Sequence, residues 1–364
     1  MQKKMIVIVG VINDCNSDCL YCYMLATRRT KCELPRERIS QLIQNCSTGF
    51  DEVEFCWHGG EPLLVGIDFY RLVIKEQERI ATNQRVVFKN TIQTNGILLN
   101  DEWLQFFKKK KFHIGLSFDA PSEVHLVQRP LATGKAVLND YLMIFKKLKE
   151  YKFAPGAICV ITENNVNRAE EIFAFYNSIG VTSFSFLPLK KTSRPTCPNP
   201  PSNEDLFNLY KETFEMWIGT PNNFFTIEPL ETMIRSLMGQ YPASCSFGQS
   251  CLKRMISITP EGYVVPCSSL VSDGFRLGNI FDSSLLKAIS SNRAVQLRRI
   301  RSLGTLRNCK GCEFISICRG GCRNSAFCDT GSYDGKFPYC EARKKILKYL
   351  QCRLNKILSM AKLK

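Results

Sequence analysis

The chain has 364 residues, of which 45% are apolar and 23% are charged, and its formal net charge is +16. This length allows two domains and a large core, and the composition is typical of globular proteins, so disordered and fibrous classes are excluded. The apolar run Met5 to Ile12 is too short for a membrane span or a signal peptide, and we expect a cytoplasmic protein.

Short apolar segments alternate with amphipathic ones in the first half of the chain, which predicts parallel strands with covering helices. The predicted strands are Met5 to Val9, Glu52 to Trp57, Arg85 to Gln93, Phe112 to Phe118, Ala157 to Ile161 and Thr182 to Leu187. The predicted helices are Arg36 to Asn45, Ile67 to Thr82, Asp101 to Lys110, Lys135 to Tyr151 and Arg168 to Ile179. Because a closed barrel needs about eight such units, we predict an α/β fold with a partial (β/α)6 barrel.

The second half of the chain is organised differently. The stretch Arg194 to Ser202 is rich in proline and is predicted to be a linker, followed by helices at Glu204 to Trp217 and Glu228 to Met238. From Cys245 to Cys340 the periodicity weakens and cysteines accumulate, which indicates a small domain organised by metal. The predicted division is therefore a barrel (1–193), a linker with connecting helices (194–239), a cysteine-rich domain (240–343) and a basic C-terminal helix (344–364).

Eighteen cysteines are too few for a disulfide scaffold and more than an ordinary cytosolic enzyme carries. Three of them, Cys15, Cys19 and Cys22, form a CxxxCxxC arrangement directly after the first predicted strand. Three thiolates at this spacing can hold three corners of a four-iron cluster and leave the fourth iron open for a ligand. A zinc knuckle or a set of small buried side chains is the alternative.

A second motif, Trp57-His58-Gly59-Gly60-Glu61-Pro62, ends the second predicted strand. Loops at the carboxyl ends of parallel strands gather around ligands, and paired glycines let the backbone approach a ligand closely. With this motif the sequence resembles the radical S-adenosylmethionine (SAM) enzymes along essentially its whole length. The resemblance implies that the open iron binds SAM and that one electron cleaves SAM to methionine and a 5′-deoxyadenosyl radical.

The same resemblance implies the residues that contact SAM. The Tyr21 backbone would contact the adenine, and the Gly60 carbonyl would accept from the SAM ammonium. Ser117 and Arg129 resemble the residues that hold the ribose and the carboxylate, and an arginine fork suits a carboxylate. The full predicted set is Tyr21, Gly59, Gly60, Glu61, Ser117, Arg129 and Leu187. Alternatively, Ser117, Arg129 and Leu187 are an ordinary strand-end serine, surface arginine and core leucine, and no role is assigned to His58, His113 or His125.

The cysteines of the second half give the strongest signal in the sequence. Eight thiolates complete two four-cysteine shells, sufficient for two saturated clusters or for two zinc ions. The spacing resembles the SPASM domain, an extension of radical SAM enzymes that modify peptides and proteins. By that resemblance one auxiliary [4Fe-4S] cluster would use Cys245, Cys251, Cys267 and Cys322, and the other would use Cys309, Cys312, Cys318 and Cys340. The remaining cysteines fit no ligand spacing and are expected to be ordinary thiols: Cys32, Cys46, Cys56, Cys159, Cys197, Cys328 and Cys352.

The resemblance leaves two enzymatic functions. We predict a peptide maturase that abstracts a hydrogen from a side chain of a ribosomally made peptide and installs an intramolecular crosslink. The alternative is an anaerobic sulfatase-maturating enzyme, which forms formylglycine from Cys or Ser; those enzymes carry an aspartate after the cysteine matched by Cys267, where this chain has Ser268. A third, non-catalytic hypothesis is an iron-sulfur or zinc module that binds an acidic partner.

The expected partners are a precursor peptide and an electron donor such as flavodoxin or ferredoxin, with no nucleic acid and no membrane. Two segments, Leu285 to Lys310 and Glu341 to Lys364, concentrate the basic residues and are either solvated helix faces or docking sites for an acidic leader peptide. Because the first predicted strand begins at Met5, we expect leader recognition by the barrel and SPASM surfaces or by a separate protein.

Overall fold

The computed structural model describes residues 3–24, 31–133, 138–191, 196–220, 225–242, 244–247 and 251–361. Its strands are β1 (Lys4–Ile12), β2 (Glu52–Gly59), β3 (Val87–Thr94), β4 (His113–Ser117), β5 (Gly156–Ile161), β6 (Ser183–Pro188), β7 (Thr226–Glu228), β8 (Met255–Ile258) and β9 (Val264–Val265). Its helices are α1 (Ile39–Ser47), α2 (Ile67–Asn83), α3 (Asp101–Lys109), α4 (Ser122–Gln128), α5 (Leu138–Glu150), α6 (Ala169–Ile179), α7 (Asn203–Gly219), α8 (Leu230–Leu237), α9 (Leu285–Ile289), α10 (Asn292–Asn308), α11 (Ile315–Cys318), α12 (Arg323–Thr330) and α13 (Cys340–Ala361).

All six strands predicted for the first half are present, and the predicted α/β class is confirmed. The five helices predicted between them are also present, although residues 135–137 of the fourth lie outside the described residues. The linker is irregular over residues 196–202, and its first two residues are likewise outside the described part. Within the described part of the chain, no helix is both long and apolar enough to cross a membrane.

The chain divides into two compact units. The first draws on residues 1–117, 126–156 and 250–299, and the second on residues 118–125, 157–249 and 300–364. These units interleave along the sequence, so they do not follow the linear order of the predicted domains.

The sheet of the first unit has the strand order β4-β3-β2-β1-β8-β9. Strands β1 to β4 and β8 pair in parallel, and β9 is antiparallel to β8. The sheet ends at β9, so the barrel is open, as six units predict. Because the strands are parallel, the loops after β1, β2, β3, β4 and β8 begin at one edge of this sheet.

The core of the first unit follows from alternation along its strands. In β1, Met5, Val7, Val9 and Val11 are at most 2% exposed, while the residues between them are more accessible. On β2, Trp57 is fully buried and donates from its indole Nε1 to Asn90 Oδ1 at 2.9 Å. Fully burying one such apolar side chain stabilises the fold by roughly 2 kcal/mol, so this packing holds the carboxyl ends of the strands in place.

In the second unit the strand order is β7-β6-β5, and helix α13 packs on α7 and α8. Glu215 of α7 accepts from Tyr349 Oη at 2.6 Å and from the guanidinium of Arg353, also at 2.6 Å. Ile346, Leu347 and Leu350 of α13 are fully buried. The C-terminal helix is therefore an integral part of this unit.

Three strands were not predicted from the sequence. Strand β8 adds to the sheet beside β1, with Ile6 to Val9 opposite Met255 to Ile258, and the short β9 pairs with it. These strands are too short for alternation to be recognised. Strand β7 occupies the start of the helix predicted from Glu228, and α8 begins at Leu230 because Pro229 precedes it.

Candidate iron-sulfur and substrate site

The glycine pair that follows β2 is bonded to the loop that follows β1. The Gly60 amide donates to the Ile12 carbonyl at 2.7 Å, and the Glu61 amide donates to the Asp14 carbonyl at 2.9 Å. A Cβ on Gly60 would lie 1.9 Å from the Asp14 oxygen, and one on Gly59, whose φ is +135°, would lie 2.3 Å from the Ile12 oxygen. Only glycine allows this approach, so the two loops are held together at the base of the cysteine motif.

The side chain of Glu61 points into the protein. Its carboxylate is fully buried and accepts from Thr94 Oγ1 at 2.7 Å, from the Asn95 amide at 2.9 Å and from the Leu63 amide at 3.1 Å. Burial raises the pKa of Glu61 to about 7, although these hydrogen bonds oppose the shift. The sequence predicted Glu61 as a cofactor contact. Both of its carboxylate oxygens accept hydrogen bonds from the protein, so this side chain is suited to hold the loops in position.

Asn95, which follows β3, continues this network to the cysteine loop. Its Nδ2 donates to Asn16 Oδ1 at 2.7 Å and to Ser17 Oγ at 3.1 Å, and it lies 4.0 Å from Cys15 Sγ. The Ser17 amide lies 3.4 Å from the same sulfur. Hydrogen-bond donors therefore surround Cys15, an arrangement that stabilises a thiolate.

The other side of the cysteine loop is fixed by the segment after α4. The amides of Asp18 and Leu20 donate to the carbonyls of Pro130 and Gln128, at 2.7 and 2.9 Å. Arg129 from this segment is 8% exposed; its Nη1 lies 4.0 Å from Cys19 Sγ and its guanidinium stacks over the Tyr21 ring at 5.3 Å. The structure thus brings the predicted residues Arg129 and Tyr21 to the cysteine motif.

Two further predicted SAM contacts lie on strands β4 and β6. Ser117 ends β4, and its Oγ accepts from Gln93 Nε2 at 2.9 Å. Leu187 lies in β6 of the second unit and is 44% exposed, so it is not a core leucine.

A cavity of about 170 Å³ opens at the carboxyl ends of β1, β2 and β8 in the first unit. Polar and charged side chains that line it include Tyr23, His58, Glu261, Tyr263, Ser268 and Arg276. Tyr23 directly follows Cys22, Ser268 directly follows Cys267, and Gly59 of the glycine pair also lines the cavity. The cavity therefore adjoins both cysteine motifs of this unit.

Each charged or titratable side chain of the cavity has a defined partner. His58 Nδ1 accepts from the Gly59 amide at 2.6 Å, and burial lowers the pKa of His58. Arg276 stacks on Tyr263 at 3.7 Å and pairs with Asp273 at 2.8 Å. Burial, then the charge of Glu261 and a hydrogen bond to it, raise the pKa of Cys32 to about 11, so Cys32 remains a thiol beside that carboxylate.

In the second unit, four cysteines line one cavity. They are Cys309, Cys312, Cys318 and Cys340, the same four that the SPASM resemblance groups together. Burial raises the pKa of Cys309, and the charges of the other three thiols raise it further. Within the described residues, no group of three or more Cys, His, Asp or Glu side chains is placed to hold a single metal ion.

Arg343 of α13 forms part of the wall of this four-cysteine cavity. Its guanidinium stacks between Phe247 and Phe337, at 3.8 and 4.4 Å from the ring centroids. It also donates to the Ser246 carbonyl at 2.9 Å and lies 3.6 Å from Cys318 Sγ. A cation beside a ligand sulfur favours the thiolate that iron requires.

The other predicted set of four cysteines is divided between the units. Cys251 and Cys267 belong to the first unit, and Cys245 and Cys322 belong to the second. Although burial opposes ionisation, Lys190 and hydrogen bonds from Ser325 and Asn324 hold the pKa of Cys322 below its ordinary value. The grouping of these four cysteines remains a prediction.

The cysteines without ligand spacing behave as ordinary thiols where they are buried. Burial raises the pKa of Cys56 to about 12, with a smaller contribution from the charge of Glu54, and raises the pKa of Cys46 further. His125 is also structural, because its Nδ1 accepts from the Asp119 amide at 3.0 Å and its ring stacks on Phe118.

Two arginines of the basic segment Leu285 to Lys310 are used inside the fold. Arg298 Nη1 donates to the carbonyls of Ile289 and Leu252, at 2.8 and 3.3 Å, and Arg301 is 5% exposed. In α13, Lys345 pairs with Glu204, and Arg353 pairs with Glu215. Part of the positive charge that predicted an acidic partner is therefore neutralised or buried within the protein.

Comparisons with known proteins identify the class of this protein. Residues 9–176 match the radical SAM superfamily, and residues 245–313 match SPASM, an iron-sulfur cluster-binding domain. The chain is a radical SAM enzyme with a SPASM domain, as the two cysteine motifs predict, and its cofactors are [4Fe-4S] clusters and SAM.

Particular relatives are similar along most of the chain. A cysteine-type anaerobic sulfatase-maturating enzyme of Clostridium novyi (strain NT) is 27% identical over 376 residues, which cover 100% of this chain and 98% of the relative. A serine-type anaerobic sulfatase-maturating enzyme of Bacteroides thetaiotaomicron is 26% identical over 346 residues, covering 88% and 82%. The structure described as native anSMEcpe with bound AdoMet and Cp18Cys peptide has the same fold, with a TM-score of 0.87, 22% identity and coverage of 98% and 99%.

These findings favour the second of the two predicted enzymatic functions, that of an anaerobic sulfatase-maturating enzyme, over the crosslinking peptide maturase. The predicted crosslinking reaction is not confirmed by them. Ser268, in place of an aspartate, disfavours the sulfatase-maturating alternative in the sequence, and Tyr23, His58 and Glu261 line the cavity although no sequence pattern predicted it. Two of these could have been found, because Tyr23 and His58 are immediate neighbours of the cysteine and glycine motifs.

Proposed function

We propose that this chain oxidises a cysteine or serine side chain of a protein substrate to formylglycine. The observation that carries the proposal is the similarity to sulfatase-maturating enzymes, which extends over 100% of the chain for the cysteine-type relative. Relatives of both types are similar at nearly the same identity, so the proposal covers both substrate side chains.

The N-terminal cysteines Cys15, Cys19 and Cys22 would hold the cluster that binds SAM. Three soft thiolates on one loop fit iron, and the hydrogen-bond donors around Cys15 fit a bound thiolate. When bound, this cluster and SAM supply the one-electron chemistry that removes a hydrogen atom from the substrate. The protein residues proposed to contact SAM are Tyr21, Gly59, Gly60, Ser117, Arg129 and Leu187, with Glu61 positioning the glycine loop.

Cys309, Cys312, Cys318 and Cys340 would hold one auxiliary cluster, and their common cavity supports that grouping. Cys245, Cys251, Cys267 and Cys322 would hold the second. Clusters with four protein ligands have no open position, so their proposed role is to accept the electron that leaves the substrate.

The proposed substrate site is the cavity between the two cysteine motifs of the first unit. Its volume of about 170 Å³ accommodates a side chain of the size of serine or cysteine together with adjacent backbone. Arg276 and the imidazole of His58 present hydrogen-bond donors to peptide carbonyls there. These residues would orient the reacting carbon and exclude water during hydrogen abstraction.

One observation keeps crosslinking as a second candidate. Ser268 occupies the position of the aspartate, and a serine hydroxyl is a far weaker base than a carboxylate at neutral pH. A crosslinking reaction couples the carbon radical to a neighbouring side chain. The groups around the substrate must then hold two side chains close together.

Product chemistry separates the two candidates. The reconstituted, reduced enzyme is incubated with SAM and a pair of sulfatase-derived peptides that differ only in Cys or Ser at the oxidised position. We expect a product that reacts with a hydrazide reagent, with release of sulfide from the cysteine peptide. A product about two mass units lighter that ignores the hydrazide and shows suppressed fragmentation between two residues would contradict formylglycine formation and support a crosslink.

The cellular setting proposed for this reaction is the cytoplasm, with flavodoxin or ferredoxin as the electron donor. A chain with 18 cysteines and cluster ligands suits a reducing compartment.

A further inference from the structure

Formation of an aldehyde from a side-chain alcohol or thiol requires a proton acceptor. The β carbon loses a hydrogen atom to the SAM-derived radical, the O–H or S–H bond loses its proton, and one electron leaves to an auxiliary cluster, the oxidant named above. A C=O or C=S double bond forms, and water then replaces sulfur in the cysteine case, with release of sulfide. The proton needs a base in the cavity, and Ser268 is not one.

We propose that Glu261 is the catalytic base that accepts this proton, an inference that rests on the proposed formylglycine function. Glu261 is the one carboxylate among the described residues that line the cavity. A carboxylate oxygen in the cavity can accept a proton from a thiol or from a developing carbonyl hydroxyl.

The other polar groups of the cavity are unsuited to this role. Tyr23 Oη donates to Ser268 Oγ at 3.1 Å, and tyrosine and serine hydroxyls are poor proton acceptors near neutral pH. Arg276 is a permanent cation. The imidazole of His58 is a stronger base than these groups, but its Nδ1 already accepts a hydrogen bond from the Gly59 amide at 2.6 Å. The proton of the neutral ring therefore resides on Nε2, and His58 is a donor at that atom.

The backbone holds Glu261 in a fixed place at the tight connection between β8 and β9. The Gly262 amide donates to the Thr259 carbonyl at 2.9 Å, and Asn279 Nδ2 donates to the Glu261 carbonyl at 3.0 Å. Gly262 has a φ of +87°, and a Cβ there would lie 2.5 Å from the Phe281 ring, so the turn has little freedom. A rigid turn places the side chain reproducibly.

The Cys32 thiol neighbours the Glu261 carboxylate, because the charge of Glu261 and a hydrogen bond to it add to burial in raising the pKa of Cys32. Glu261 is also exposed to solvent. Water can therefore remove the accepted proton between turnovers, which a fully enclosed carboxylate would prevent.

The test compares Glu261→Gln, Glu261→Asp and the double variant Glu261→Gln/Ser268→Asp with the wild type. Glu33→Gln is the matched control, because Glu33 neighbours Cys32 in sequence and is not among the residues that line the cavity. The reconstituted enzymes receive the Cys and Ser sulfatase peptides, and hydrazide-trapped aldehyde is measured per 5′-deoxyadenosine formed. Iron content is measured on the same samples.

We expect Glu261→Gln to lower the ratio of aldehyde to 5′-deoxyadenosine by about 100-fold, the lower range for loss of a general base. Glu261→Asp should retain the ratio within about tenfold, and Ser268→Asp should restore at least tenfold in the glutamine background, since Tyr23 already donates to position 268. Glu33→Gln should match the wild type, and iron content should be equal throughout.

A wild-type ratio in Glu261→Gln would overturn the assignment. Equal losses in the Gln and Asp variants, without restoration by Ser268→Asp, would also overturn it, because they indicate a structural role. Failure of the wild type itself to form an aldehyde from either peptide has a different meaning: it overturns the proposed function, and the inference with it.

Discussion

The hydroxyl of Tyr23 donates a hydrogen bond to Ser268 Oγ at 3.1 Å, although the two residues are 245 positions apart. Each directly follows a cysteine of a different motif, Cys22 in one case and Cys267 in the other. The pair therefore joins the loop proposed to bind SAM to a loop proposed to bind an auxiliary cluster, and it does so at the wall of the cavity.

A double-mutant cycle measures this link. Tyr23→Phe and Ser268→Ala each remove one partner, and we expect a coupling of about 1 kcal/mol in the free energy of unfolding, the net value of a neutral hydrogen bond. The control cycle pairs Tyr23→Phe with Ser269→Ala, because Ser269 contacts Cys267 Sγ instead. Equal coupling in the two cycles would show that Tyr23 does not bond specifically to Ser268.

The buried Glu61 carboxyl should make stability depend on pH. Its folded pKa is about 7, above the ordinary value of 4.5, so the folded state binds more protons between these values. The free energy of unfolding should therefore fall as pH rises from about 4.5 to about 7, by about 3 kcal/mol in total. Denaturant unfolding at several pH values under anaerobic conditions measures this slope.

Glu61→Gln should remove that slope, because the amide does not titrate. The control is Glu78→Gln, at a glutamate that pairs with Lys110 on the surface. This variant should keep the wild-type dependence of stability on pH. A slope that persists in Glu61→Gln would mean that another group causes the pH dependence.

Iron content tests the cluster assignments. Anaerobically reconstituted wild type should hold about twelve iron atoms, as three four-iron clusters require. Cys309→Ala combined with Cys312→Ala should lower this to about eight, since both cysteines line the same cavity. Cys328→Ala is the control and should leave iron unchanged, because the Cys328 thiol donates to Asn324 Oδ1 of its own helix. Bound zinc in place of iron would refute the auxiliary clusters.

The arginines of α10 have separable roles. Arg298→Ala should destabilise the fold by about 1–3 kcal/mol, because it leaves the carbonyls of Ile289 and Leu252 without a charged donor. Arg299 is exposed, so Arg299→Ala should change stability by less than about 0.5 kcal/mol. Urea unfolding of the two variants compares these values, and equal destabilisation would contradict the distinction.

Arg299 is also the position at which docking of an acidic leader is best tested. If leader binding uses this surface, Arg299→Glu should slow association with an acidic peptide at low salt and have little effect at high salt. Identical association rates for wild type and variant at low salt would show that Arg299 is an ordinary solvated residue that does not take part in leader binding.

Much of the fold follows from local sequence patterns. Strand β1 alternates so regularly that its buried residues can be identified without a structure, and the helices after it have clear amphipathic periods. Strand β8 could not be identified in this way. It has four residues, and its partner β1 lies about 250 positions earlier, so only tertiary packing specifies the pairing.

The cysteine motifs could be identified from spacing, whereas the cavity residue Glu261 could not. Spacing is a local property, and the four cysteines that the SPASM resemblance groups together, Cys309, Cys312, Cys318 and Cys340, line one cavity. Glu261 has no motif of its own and reaches the cavity only because β8 joins the sheet beside β1. Charge counting had a similar limit, because it treats the buried Arg301 like an exposed arginine.

The close approach of Gly60 to the Asp14 oxygen, where a Cβ would lie at 1.9 Å, has a consequence for engineering. Every substitution at Gly60 displaces the cysteine loop, so mutant libraries that vary this position to change substrate preference will consist largely of enzymes without a cluster. Positions 268 and 269 border the same cavity, and both already carry side chains. Directed evolution toward new peptides should therefore diversify that side of the cavity and leave the glycine pair fixed.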